Sequence, residues 1–95
     1  QVVVQPNVKI GSFNLLQTAV SLDSEVEIGN LCTIQAGARI GRGTLLDDEV
    51  FVGMGAVIQS GLEIGKGAII APGAVVLTNV DEGETVFGNP ARATE

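Results

Sequence analysis

Every sixth residue from Val4 onward is apolar, in the series Val4, Ile10, Leu16, Leu22, Ile28, Ile34, Ile40, Leu46, Val52, Ile58, Ile64, Ile70 and Val76. In a chain that is 45% apolar, thirteen consecutive hits in one phase arise by chance about 3 times in 100,000. Two residues before each of these lies a second column, mostly small and apolar: Val2, Val8, Asn14, Val20, Val26, Cys32, Ala38, Thr44, Val50, Ala56, Leu62, Ala68 and Ala74. An offset of two puts both columns on one side of an extended strand. Each hexapeptide therefore reads as a short strand followed by a turn. Gly11, Gly29, Gly41, Gly53 and Gly65 follow the large apolar residue, where a corner is expected, and glycine there is expected to let the backbone turn.

The pairs Gly37-Ala38, Gly55-Ala56 and Gly73-Ala74 recur at eighteen-residue steps, so three strands close one triangular turn and equivalent positions stack. The expected fold is an all-β, parallel β-helix of about four coils, a single domain over residues 1–95. At about 4.8 Å per stacked strand the column stands on the order of 20 Å tall. So narrow a core does not by itself offset the cost of ordering the backbone, and self-association is expected.

After Val76 the phase fails. Residues 1–77 are read as coils and residues 78–95 as a capping tail, in which Val86 and Phe87 ahead of Gly88-Asn89-Pro90 cover the open end. Gln5, Gln17, Gln35 and Gln59 recur at the corner after the large apolar residue, where stacked amides are expected to hydrogen-bond up the column. Asp47, Asp48 and Glu49 crowd a corner that reads as a solvated turn.

The net charge is −6, with only Lys9, Arg39, Arg42, Lys66 and Arg92 as cations, which argues against nucleic acid as a partner. No stretch approaches the eighteen continuous apolar residues of a membrane span. A single cysteine gives no disulfide framework, and a reducing, cytoplasmic setting is expected. The chain starts at Gln1 with the repeats already running, which fits an upstream domain that is missing from this sequence.

The (Leu/Ile/Val)-Gly-x4 repeat, the run from Ile64-Gly65-Lys66-Gly67 to Val76 and the tail Val86-Phe87-Gly88-Asn89-Pro90-Ala91-Arg92 resemble the left-handed β-helix acyltransferases. The likeness is strongest to the sugar acetyltransferases of the sialic acid and bacillosamine type. What the resemblance implies is a left-handed coil, a homotrimer, acetyl-CoA as cosubstrate, a sugar nucleotide as acceptor and an active site between subunits.

That family generally places a histidine base five positions ahead of an Ile-Gly glycine, just before an acidic residue. Counting back from Gly29 reaches Ser24, beside Glu25, and the chain has no histidine at all. A hydroxyl acceptor needs a base as it attacks the thioester, and a solvated carboxylate such as Asp23 or Glu25 serves poorly near neutral pH. An unprotonated amine needs no such base, so N-acetyl transfer to an amino sugar is favoured over O-acetyl transfer. Ser24, Glu25 and Asp23 are the catalytic candidates by this resemblance. The competing reading is a non-catalytic trimerisation or assembly module.

For acetyl-CoA the resemblance points to small residues in the upper coils and to cations near its phosphates. The candidates are Gly53, Gly55, Ala56, Ala71 and Gly73, with Arg42, Lys66 and Arg92. Without histidine the zinc site of related carbonic anhydrases cannot form, and no metal is expected.

Overall fold

The computed structural model describes residues 1–93; Thr94 and Glu95, the end of the expected tail, lie outside the described residues. The strands are β1 (Val3–Val4), β2 (Lys9–Ile10), β3 (Leu15–Leu16), β4 (Ser21–Leu22), β5 (Glu27–Ile28), β6 (Thr33–Ile34), β7 (Arg39–Ile40), β8 (Leu45–Leu46), β9 (Phe51–Val52), β10 (Val57–Ile58), β11 (Glu63–Ile64), β12 (Ile69–Ile70), β13 (Val75–Val76), β14 (Thr85–Gly88) and β15 (Ala91–Ala93).

From β1 to β13 every third strand joins the same sheet. Sheet A runs β1-β4-β7-β10-β13, sheet B runs β2-β5-β8-β11, and sheet C runs β3-β6-β9-β12-β14-β15. All neighbours but the last pair are parallel, and Val3 faces Ser21, Leu22 faces Ile40 and Ile40 faces Ile58, the eighteen-residue step read from the sequence. The architecture is a left-handed parallel β-helix.

The two inward columns form one core. From Val20 to Val76 every member of both columns is buried except Leu62, which packs against the cluster. Val4 and Ile10, in the lowest coil, are exposed, because among the described residues no coil lies beneath them. The two polar intruders are satisfied. Thr44, fully buried, donates its hydroxyl to the Gln59 carbonyl at 2.9 Å, and Asn14 bridges coils by donating to the Gly29 carbonyl and accepting from the Cys32 amide.

Among the described residues the β-helix has five turns, one more than the fixed six-residue phase predicts. Val80 bridges Ile64 in parallel, and Ile70 of β12 faces Val86 of β14, steps of sixteen residues and not eighteen. The link from Val76 to Val80 is two residues shorter than its counterparts; six-residue spacing then resumes to Val86. Residues first assigned to the tail thus complete a fifth coil. Only then does the chain reverse: β15 lies antiparallel on β14, and Ala91 packs against the core.

The corners correct the expected role of glycine. The left-handed conformation falls at the third corner residue, as at Glu25 (φ 64°), Leu31 (φ 60°) and Gly43 (φ 71°), and not at the glycine directly after the large apolar residue. That glycine serves close approach. A Cβ on Gly41 would lie 2.6 Å from the Ser60 amide nitrogen, and one on Gly53 would lie 2.5 Å from the Pro72 nitrogen. The coil above descends directly onto these residues.

Candidate active site

Three edges of the prism must be distinguished, since each stacks its corner residues at eighteen-residue steps. Edge AB, between sheets A and B, carries residues 5–7, 23–25, 41–43 and 59–61. Edge BC carries 11–13, 29–31, 47–49 and 65–67. Edge CA carries 17–19, 35–37, 53–55 and 71–73.

Edge AB gathers the expected catalytic trio and one expected cofactor cation. Ser24 is half-buried between exposed Asp23 and Glu25, and the Asp23 Oδ1 accepts from the Ser24 amide at 2.8 Å. Arg42 stands one coil above Ser24. Its Nε donates to the Glu25 Oε1 at 3.1 Å. Both partners are largely exposed, at 64% and 52%, so the pair adds little stability, about 0–1 kcal/mol, and stays open to exchange with another anion. Directly above Arg42 come Ser60 and Gly61, held by the bond from the Gly61 amide to the Arg42 carbonyl at 2.8 Å. Beside this edge a shallow hollow of about 190 Å³ is lined by Ser21, Asp23, Arg39, Gly41 and Val57. Arg39, not singled out from sequence, thereby shares a hollow with Asp23.

The remaining cofactor candidates do not join them. Gly53, Gly55, Ala71 and Gly73 all lie on edge CA. Ala56 is fully buried in the core, where its side chain meets no ligand, and Gly53 is buried beneath Pro72. Lys66 stands on edge BC, and Arg92 is exposed on β15. One chain therefore does not bring the eleven candidate residues to one place.

Sequence-distant polar groups explain two of the unusual corners. The Gln17 Oε1 accepts from the Ala36 amide at 3.2 Å and the Gln35 Oε1 from the Met54 amide at 3.1 Å, so these amides reach the backbone of the next coil instead of each other. One coil higher on the same edge Pro72 offers no N–H, and Gly53 stands where the glutamine would. On edge BC, Asp48 Oδ1 accepts from the Asn30 amide at 2.8 Å, Asn30 Oδ1 from the Ser12 amide at 2.7 Å, and Asp47 Oδ1 from the Asp48 amide at 2.7 Å. The acidic run is turn chemistry. No group of three His, Cys, Asp or Glu side chains converges among the described residues.

Cys32 is buried and free, and donates its thiol to the Asp47 carbonyl at 3.1 Å. Burial, with a smaller contribution from the Asp48 and Asp47 charges, pushes its pKa upward. It is a core thiol, not a nucleophile.

Residues 43–78 match the family model described as "Bacterial transferase hexapeptide (six repeats)". Residues 43–78 carry the bacterial transferase hexapeptide repeat. Solved structures extend the likeness over the whole hexapeptide-repeat chain. Neisseria gonorrhoeae serine acetyltransferase is 27% identical with a TM-score of 0.91, covering 97% of this chain and 40% of that one. Soybean serine acetyltransferase, solved with serine, is 33% identical with a TM-score of 0.86, covering 93% of this chain and 40% of its own. GDP-perosamine N-acetyltransferase from Caulobacter crescentus, a histidine-to-alanine mutant solved with CoA and GDP-perosamine, is 22% identical with a TM-score of 0.89, covering 99% and 53%. The hexapeptide-repeat chain thus spans about half or less of the length of these structures. Among curated protein sequences nothing matches. No helix of the described residues is long and apolar enough to cross a membrane.

Proposed function

We propose that the hexapeptide-repeat chain is the β-helix of an acetyl-CoA-dependent acetyltransferase that acts as a homotrimer on a nucleotide-linked amino sugar. The observation that carries this reading is edge AB, where Asp23, Ser24 and Glu25 sit beneath Arg42 with no imidazole present.

The chemistry follows from what that edge holds. The amine lone pair of the acceptor attacks the thioester carbonyl, the C–S bond breaks, and CoA leaves as its thiolate. The new ammonium loses one proton, which passes through water or a carboxylate of Asp23 or Glu25 and ends on the thiolate or in solvent. Arg42 releases Glu25 to meet a phosphate of either ligand. Lys66, on edge BC, reaches the same ligand only if a second copy presents that edge. The Caulobacter structure lends support: in that protein a histidine-to-alanine mutant still holds CoA and GDP-perosamine. Free Cys32 fits a reducing, cytoplasmic setting.

A thiol-release assay tests the acceptor. Release of CoA from acetyl-CoA is expected with an amino-sugar nucleotide and absent with its hydroxyl-only counterpart or with serine. Release with serine alone would overturn the sugar reading. The second reading, a non-catalytic assembly module, is favoured by one fact: the chain has no histidine to serve as a general base. No release with any amine would support it.

A further inference from the structure

The charges of this chain avoid one part of its surface. The parallel strands of sheet C and edge CA comprise residues 14–20, 32–38, 50–56, 68–74 and 85–91, and not one Asp, Glu, Lys or Arg lies among them; the one charge of sheet C is Arg92, on the antiparallel strand β15 at its top. Both other edges are charged: edge AB carries Asp23, Glu25 and Arg42, and edge BC carries Asp47, Asp48, Glu49 and Lys66. The uncharged strip is also apolar at its surface, with Leu15 54%, Met54 58%, Ile69 43% and Phe87 52% exposed. Sheet A, on the other side of edge CA, presents Val3, Ser21, Arg39, Val57 and Val75 outward, with Arg39 its one charge.

From this distribution we infer that edge CA and its flanking sheet C form the contact by which copies of this chain assemble, with edge CA nearest the symmetry axis. The inference rests on the homotrimer reading and adds the surface to it. Two electrostatic arguments select this edge. Copies with net charge −6 repel one another, and they approach at least cost where the surface carries no charge. A residue beside a three-fold axis also meets its own two copies, so any charge there is repeated three times at short range. Edge CA alone avoids that repulsion.

The area is sufficient. Five stacked strands at about 4.8 Å make a face about 24 Å tall. With a cross-section of 21 × 20 Å, one face offers on the order of 500 Å², so each contact that covers a face on two copies buries about 1,000 Å², the lower bound for a specific interface. The uncharged face of one copy set against sheet A of the next makes a head-to-tail contact, which closes as a ring. On this assignment Gly55, Ala71 and Gly73 meet a neighbouring subunit.

Sedimentation velocity on three proteins tests the inference: the wild type, Met54→Glu on edge CA, and Ser60→Glu at the equivalent corner position of edge AB. The wild type and Ser60→Glu are expected to sediment as trimers. Met54→Glu is expected as a monomer with an unchanged β circular dichroism spectrum, and Met54→Leu as a trimer. A Met54→Glu trimer, or dissociation by Ser60→Glu as well, would overturn the assignment of the surface while leaving the trimer intact as a reading. A monomeric wild type would overturn the trimer itself. If Met54→Glu lacks the β spectrum, Thr18→Glu on the same edge decides by the same criterion.

Discussion

Gly41→Ala is expected to cost about 3 kcal/mol of folding stability, while Gly43→Ala, two residues along the same corner, costs only about 1. The difference inverts what backbone conformation alone implies. Gly43 adopts φ 71°, but nothing lies within 4 Å of its missing Cβ, and Glu25 one coil below holds the same conformation with a full side chain. Gly41 has no unusual φ, yet its Cβ would meet the Ser60 nitrogen at 2.6 Å and the Ile58 carbonyl oxygen at 2.8 Å. To admit the methyl the coil above must lift. The Gly41 amide bond to that carbonyl, at 2.8 Å, and the Gly61 amide bond to the Arg42 carbonyl then stretch, at about 0.5–1.5 kcal/mol each. Urea denaturation of the two variants measures the contrast; equal losses would contradict it.

Ile58→Ala is expected to cost about 2–5 kcal/mol, the loss of a buried aliphatic side chain plus the cavity left behind. Ile58 is 1% exposed and stacks between Ile40 and Val76 in sheet A. A solenoid coil touches only its neighbours, so the vacated space cannot be filled from elsewhere, and the cost should fall in the upper half of that range. Against a typical domain stability of about 5–15 kcal/mol the melting temperature drops by many degrees. A calorimetric melt that moves by a degree or less would show that Ile58 is not part of a packed column.

The sequence carries the fold because the side-chain period and the coil period are commensurate: six residues per strand and corner, three strands per turn. Leu22, Ile40 and Ile58 are buried and vertically aligned as their spacing requires. The fifth coil was hidden by a two-residue shortening after Val76, which moves Val80 and Val86 out of phase although their own spacing of six is kept. A search for the period that tolerates one phase break would have found it. Glycine was misjudged for a physical reason: composition cannot distinguish a turn that needs positive φ from a turn pressed by the backbone above it.

The candidate site was legible only in part. The eighteen-residue step places Arg42 directly above Ser24, so their meeting was implicit in the numbering. The ion pair with Glu25 depends on side-chain reach and was not. Small residues such as Gly53 imply room for a ligand, yet Pro72 fills the space over Gly53. Up to Val76, which edge a residue occupies follows from its number modulo eighteen, and that arithmetic separates the small cofactor candidates on edge CA from Asp23, Ser24 and Glu25 on edge AB.

The account turns on whether this prism takes CoA or merely assembles. Isothermal titration of the purified protein with CoA is the most direct measurement. A transferase requires binding in the micromolar range, about −8 kcal/mol, and Arg42→Ala should weaken it. No heat at millimolar CoA would contradict the account and leave the assembly module as the function of this chain.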